Sequence, residues 1–354
     1  MINRERLVVE AAERIFTDLA DPQTVARAQD DGWKDGFWRT LEESCLTLAW
    51  VPDALGGAGV SLAEGFEIVR AAGEFALAIP LAETMLAGWL LSRAGIASPA
   101  GAMTVAPAQP SDRISVEADG SLSGSACAIS FARHAAHFAV LGTSPDGDLI
   151  MLVDAKDCHL FAGANLAGDS QDDIFFDGVT PVASARVPAG FDQRALMLMG
   201  GVVRSLQVAG ALQSMLNRTV GYAGERIAFG KPIAKFQAVQ TNVARLAGEV
   251  AAARAAAESA ADALASAAEW DDGVFLEAAA AKIRCAEAAS AGAALAHQVH
   301  GAIGLTVEHA LHRFTLRVLA WSEDFGNDSY WAVVLGNRIA SRGADLLWPL
   351  VASR

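Results

Sequence analysis

Two long alanine-rich stretches, residues 244–268 and 274–300, are separated by little more than Trp270-Asp-Asp-Gly273. Alanine has the highest helix propensity of any residue, and both stretches contain few breakers. Asp271 or Asp272 is suited to cap the second helix, and Gly273 to interrupt the pattern, so the segment reads as an antiparallel helical hairpin. Small side chains on both helices allow close packing, within the chain or against another subunit.

The rest of the chain divides into three zones. Residues 1–100 carry helix-period apolar patterns such as Leu62-Ala-Glu-Gly-Phe-Glu-Ile-Val-Arg70, with Pro52 and Gly56-Gly57-Ala-Gly59 marking a loop. Residues 101–190 change character. Short β-rich runs (Ile114-Ser-Val-Glu, His137-Phe-Ala-Val-Leu, Leu149-Ile-Met-Leu-Val, Ile174-Phe-Phe) alternate with turn signals at Pro145-Asp-Gly-Asp and Asp177-Gly178. Residues 191–354 are helical again. The expected fold is mostly α with a small β insert.

Mean hydropathy is +0.29 and 53% of the 354 residues are hydrophobic, enough for a sizeable core. No uninterrupted apolar run approaches the ~18 residues of a membrane span. Arg204 breaks the longest, around Met197 to Leu212. The first residues lack a signal-peptide apolar region, and Cys45, Cys127, Cys158 and Cys285 are widely spaced. They read as reduced core thiols, and the location expected is the cytoplasm. A net charge of −14 disfavours nucleic acid and other polyanions. His134/His137, His297/His300 and His309/His312 have i,i+3 spacing, but no Cys or carboxylate cluster completes a ligand set, so no metal is expected. There is no P-loop, no GxGxxG after a strand and no GxSxG element.

The stretch Arg226-Ile-Ala-Phe-Gly-Lys-Pro-Ile-Ala-Lys-Phe-Gln-Ala-Val-Gln240, followed by Gln298-Val-His-Gly-Ala-Ile-Gly304, resembles the flavin-binding helical domain of acyl-CoA dehydrogenases. Val51-Pro-Asp-Ala-Leu-Gly-Gly-Ala-Gly-Val60 and Leu77-Ala-Ile-Pro80 are similar to further family segments. The resemblance covers essentially the whole chain. It implies an N-terminal helical domain (1–100), a middle β-barrel-like domain (101–190) and a C-terminal four-helix bundle (191–354). It also implies FAD as cofactor, an acyl-CoA substrate, α,β-desaturation and an electron-transferring flavoprotein as acceptor. The family's flavin-facing residues carry over to Arg226, Phe229, Gln237, Gln298, Gly301 and Gly304, on elements that reach across a dimer interface. A guanidinium suits two phosphates, an aromatic face suits a ring, and glycine allows close backbone approach. Ala302 stands where many members have a second glycine.

Two family features are missing. The Thr-Glu-Pro-x-x-Gly-Ser-Asp-like loop that cradles the flavin ring corresponds to Val105-Ala-Pro-Ala-Gln-Pro-Ser-Asp112, where only Pro107, Ser111 and Asp112 agree. The two family positions for the catalytic base fall on Gly326 and Gly200. Glu323 and Asp324 are the nearest carboxylate candidates, with Asp328 beyond them. Heteromeric acyl-CoA dehydrogenases of bacterial steroid side-chain catabolism divide a flavin site between two homologous subunits. The leading expectation is one subunit of such a heterotetramer, with the homologous partner supplying the base. Two alternatives stay open: a self-sufficient homotetramer using Glu323 or Asp324, and a non-catalytic assembly or regulatory homologue without flavin.

Overall fold

The computed structural model describes residues 4–26, 28, 30–343, 345 and 347–352. Five helices come first: α1 (Arg4–Leu19), α2 (Pro22–Ala26), α3 (Trp33–Glu43), α4 (Leu62–Glu74) and α5 (Leu81–Arg93). The start of α4 is fixed by a capping box, in which the Ser61 hydroxyl accepts from the Glu64 N–H and the Glu64 carboxylate accepts from the Ser61 N–H.

Eight strands follow: β1 (Met103–Ala106), β2 (Arg113–Val116), β3 (Leu122–Ser130), β4 (His137–Ser144), β5 (Gly147–Asp154), β6 (His159–Phe161), β7 (Gln171–Val179) and β8 (Ala183–Arg186). They form one mixed sheet in the order β6-β7-β3-β2-β4-β5-β8, with β1 parallel to β4. The Pro145-Asp-Gly signal is the β4–β5 hairpin, as the sequence suggests. Asp177-Gly178 is not a turn between strands. It lies inside β7, where the pairing with β3 slips by one residue between Leu122 and Ser123, and Gly178 (φ 64°) takes the left-handed conformation of a bulge.

The third region holds α6 (Gln193–Glu225), a small hairpin β9 (Ile227–Ala228) and β10 (Lys231–Pro232), then α7 (Gln237–Ser266), α8 (Asp272–His300), α9 (Leu311–Glu323), α10 (Asp328–Arg342) and α11 (Leu347–Ala352). The chain is thus mostly α with a sheet region, in the acyl-CoA dehydrogenase-like arrangement expected. The helix starts follow sequence signals. Asp192 caps α6 at the Ala195 N–H, Asp271 caps α8 at Gly273 and Val274, and Asn327 caps α10 at Tyr330. Gly273 falls inside the first turn of α8 rather than between the helices.

Helix α6 is the centre of the molecule and packs against α4, α7, α8 and α9. Among the described residues it is the one helix long and apolar enough to cross a membrane, but its apolar window is wholly buried in protein. The α7–α8 loop is held down by Trp270, which stacks on Trp89 of α5 at 5.9 Å and donates from Nε1 to the Leu264 carbonyl. All four cysteines are free, but only Cys285 is buried; Cys45 and Cys127 are exposed. Cys45 sits at a left-handed turn after α3, and Cys127 is on an outward position of β3, so the core reading fails for both.

Candidate active site

Most of the residues singled out in the third zone lie along one outward edge. Helix α6 ends at Arg226, whose N–H donates to the Tyr222 carbonyl at 2.9 Å and whose carbonyl accepts from Ile233 at 2.8 Å. The chain then reverses in the two-residue turn Phe229-Gly230, both residues left-handed (φ 51° and 77°), between paired β9 and β10. Such a turn matches hairpin twist, and glycine carries its second position without strain. Phe229 pays that strain and is still 95% exposed. Arg226 is also exposed, and forms no ion pair among the described residues. Gln237 opens α7 and Gln298 lies in the last turn of α8, both exposed.

Gly301 ends α8 with φ 66° and ψ −150°, and a Cβ there would meet nothing within 4 Å. Its conformation, not crowding, demands glycine. Gly304 differs. It is buried, and a Cβ would come to 2.9 Å of Leu311, 3.0 Å of the His300 Cβ and 3.1 Å of the His297 Nδ1, so its close neighbours belong to this chain. The two ends of the edge are joined by rings: Tyr222, one turn before Arg226, stacks on His300, next to Gly301, at 4.5 Å.

A charged cluster lies toward the other end of α6, 22 residues and about 33 Å along the helix from Arg226. Arg204 of α6 is 2% exposed. Its guanidinium donates to Glu83 of α5 at 2.6 Å, to Asp324 at 2.8 Å, to Gln207 at 2.6 Å and to the Ser130 hydroxyl at 3.2 Å. Asp324 also accepts from Gln171 at 2.9 Å and from Ser130 at 3.2 Å. Burial opposes the Arg204 charge, but two carboxylates outweigh it and raise its pKa. Burial raises the Glu83 pKa, since one guanidinium shared by two acids offsets only part of the desolvation. Lys282 of α8 completes the cluster, donating to the Ser322 carbonyl at 3.0 Å and the Asp324 carbonyl at 2.7 Å. Burial brings its pKa down to about 8.

Residues 193–333 match the family model for the acyl-CoA dehydrogenase C-terminal domain. The acyl-CoA dehydrogenase IpdE2 of Mycobacterium tuberculosis is 27% identical over 315 residues, covering 88% of this chain and 90% of that protein. Residues 193–333 thus form an acyl-CoA dehydrogenase C-terminal domain, and the likeness to acyl-CoA dehydrogenases runs over most of the chain. The acyl-CoA dehydrogenase FadE27 of the same organism is 28% identical over 79% of this chain and 81% of that protein. The fold superposes on the ChsE4-ChsE5 complex from Mycobacterium tuberculosis with a TM-score of 0.83, 22% identity and coverage of 97% and 99%. It superposes on a Tcur3481-Tcur3483 steroid ACAD variant with a TM-score of 0.80, 25% identity and coverage of 95% and 98%.

At Gly200 and Gly326, the two positions where the sequence resemblance leads one to expect a base, packing fills the space. The Phe325 ring lies flat on Gly200, so that any Cβ there would overlap its ring carbons. At Gly326 (φ 84°) a Cβ would come to 2.6 Å of Tyr330 and 3.1 Å of Trp331. The Phe325 N–H donates to the Ala108 carbonyl at 3.1 Å, so the 105–112 loop touches the 325–327 turn directly. Asp112 serves that loop, accepting from the Ala108, Gln109 and Cys127 N–H groups.

Of the carboxylate candidates, Asp324 is 3% exposed with both oxygens committed to protein donors. Glu323 is exposed and accepts from Asn327 at 3.3 Å. Asp328 opens α10 and accepts from the Ser329 N–H. Trp321 is buried core. Among the described residues no three His, Cys, Asp or Glu side chains converge as metal ligands.

Sequence reasoning missed the Arg204 cluster and Phe325. One signal was present: a lone arginine in a buried apolar run needs an acidic partner. The outward edge fits a dinucleotide in its own chemistry. It offers an exposed guanidinium, an aromatic face held out by a strained turn, two exposed amides and a glycine opening on free space.

Proposed function

We propose that this chain is one subunit of a heteromeric, FAD-dependent acyl-CoA dehydrogenase that introduces an α,β double bond into an acyl-CoA thioester. The observation that carries the reading is the contact of Phe325 with Gly200. It fills the space at one expected base position, Tyr330 and Trp331 crowd the other at Gly326, and the outward edge keeps groups suited to a dinucleotide. A bound flavin would accept the β-hydride. Arg226 would meet its phosphates, Phe229 would cover a ring face, and Gln237 and Gln298 would offer amide hydrogen bonds. The carboxylate that takes the α-proton would come from a homologous partner. A bulky acyl group such as a steroid side chain is favoured by the likeness of the fold to a steroid ACAD. An electron-transferring flavoprotein is the proposed acceptor.

The test is the flavin-to-polypeptide ratio of the chain purified alone and co-expressed with a homologous subunit. Little flavin alone and one flavin per pair supports a shared site. One flavin per chain alone, with turnover lost on Glu323→Gln, would establish the homomeric enzyme instead. A colourless protein with every partner would leave the non-catalytic reading.

A further inference from the structure

His300 is 4% exposed and stands where three elements of the outward edge meet. One face of its ring stacks on Tyr222 near the end of α6, with centroids 4.5 Å apart and planes 18° from parallel. His309, just before α9, meets it edge-on at 4.8 Å and also approaches Tyr222 at 6.2 Å. The His300 Cβ stands 3.0 Å from where a side chain at Gly304 would begin.

The bonding fixes the tautomers. His300 Nδ1 is 2.9 Å from the Ala296 carbonyl, so Nδ1 carries the hydrogen and Nε2 is a bare acceptor. That Nε2 is buried without a partner among the described residues. His309 Nδ1 accepts from the Leu311 N–H at 3.1 Å, so its hydrogen is on Nε2. The ring of His300 therefore belongs in the cluster only when uncharged. The charged and titratable groups around it are Arg218 and Tyr222 on α6, His297 on α8, and His309 and His312 at the start of α9, with Asp21 acting on Arg218. Asp21, the one acid named, acts on Arg218, so a protonated His300 would find no carboxylate of its own among these groups. Burial, then the neighbouring His309 and His297, brings its pKa down to about 4.

We propose that His300 is a positioning residue: its uncharged ring, clamped between Tyr222 and His309, sets the Gly301–Gly304 turn against the end of α6 that carries Arg226. Its role toward a dinucleotide rests on the reading that this edge meets a flavin. Opening the cluster returns His300 to its ordinary pKa, so acid favours the open form. The folded pKa lies below the unfolded one, and the stabilisation is lost as pH falls from about 6.5 toward 4. The edge is expected to hold flavin on the order of tenfold more weakly at pH 5 than at pH 7.

The experiment uses the co-expressed pair with wild-type chain, His300→Phe and His300→Ala. Flavin dissociation constants are measured by fluorescence at pH 7 and pH 5, and hydrogen exchange is followed in residues 222–230 and 300–309. His300→Ala is expected to weaken flavin binding tenfold or more at pH 7 and to raise exchange in both segments together, with the sheet unchanged. His300→Phe keeps the stack, so it is expected to bind flavin like wild type at pH 7 and to lose much of the drop at pH 5, His297 and His309 retaining the remainder. Exchange that rises in 300–309 alone, or a His300→Phe drop equal to wild type, overturns the proposal. If no preparation binds flavin, the heteromer reading fails, while coupled exchange across the two segments still decides the role of His300.

Discussion

The Phe325 ring rests on the Cα of Gly200, a residue on the buried face of α6 one turn before Arg204. The two contacts act as a unit. Phe325 is left-handed (φ 55°) and 3% exposed, and its carbonyl accepts from Trp331 Nε1 at 3.0 Å. A side chain at position 200 must displace a ring whose backbone is bonded on both sides.

Gly200→Ala is therefore expected to destabilise the chain by about 1–3 kcal/mol, the range for overpacking a filled site. Urea denaturation reads this directly. Phe325→Ala in the Gly200→Ala background should recover part of the loss, giving a favourable coupling in the double-mutant cycle. Additive effects would mean that the two residues are not in contact. Gly200→Glu should not create a base, because its carboxylate has no cavity to enter.

Arg204 supports two acids, and removing it leaves both without their cation. Arg204→Met is expected to cost about 3–5 kcal/mol, as for other buried pairs broken on one side. Glu83→Gln should cost less, since Arg204 keeps Asp324 and the amide oxygen still accepts. A larger loss for Glu83→Gln than for Arg204→Met, measured by denaturant midpoints, would reverse the roles given to the three groups.

Lys282 gives a pH signature. Its folded pKa of about 8 lies below its ordinary 10.5, so the unfolded chain binds more protons between those values and stability rises with pH across that window. Burial pushes the Cys285 and Cys158 thiols up to about 12, which acts in the opposite sense above pH 9. The clean interval is pH 8 to 9. Wild type is expected to gain stability over Lys282→Met across it. A constant difference from pH 7.5 to 9 would mean that Lys282 stays charged throughout.

These residues also mark how far the sequence could be read. The α7–α8 hairpin was legible because alanine content and the Asp271 cap are local. Asp177-Gly178 misled because a glycine bulge and a glycine turn share a composition and differ in what lies across the sheet. Arg204 was visible as a lone charge, but Glu83 is 121 residues away and Asp324 120, and no local pattern joins them. Glu323 and Asp324 look alike in sequence. Which one is buried is decided by the Lys282 bonds to the carbonyls of Ser322 and Asp324, which fix the way α9 ends.

Phe229 separates stability from function most cleanly. Its ring is 95% exposed and touches little beyond the edge of Phe236 at 6.1 Å, so Phe229→Ala should change folding stability by no more than about 0.5 kcal/mol. A large ring held out by a left-handed backbone gains its return only from something outside the chain. In the co-expressed pair the same substitution is expected to weaken flavin binding about tenfold or more, the scale of a buried aromatic anchor. Isothermal titration of the apo pair with FAD measures this. Unchanged affinity would mean that the ring faces the partner polypeptide or solvent, and would move the dinucleotide contact to Arg226 and the Gly301 turn.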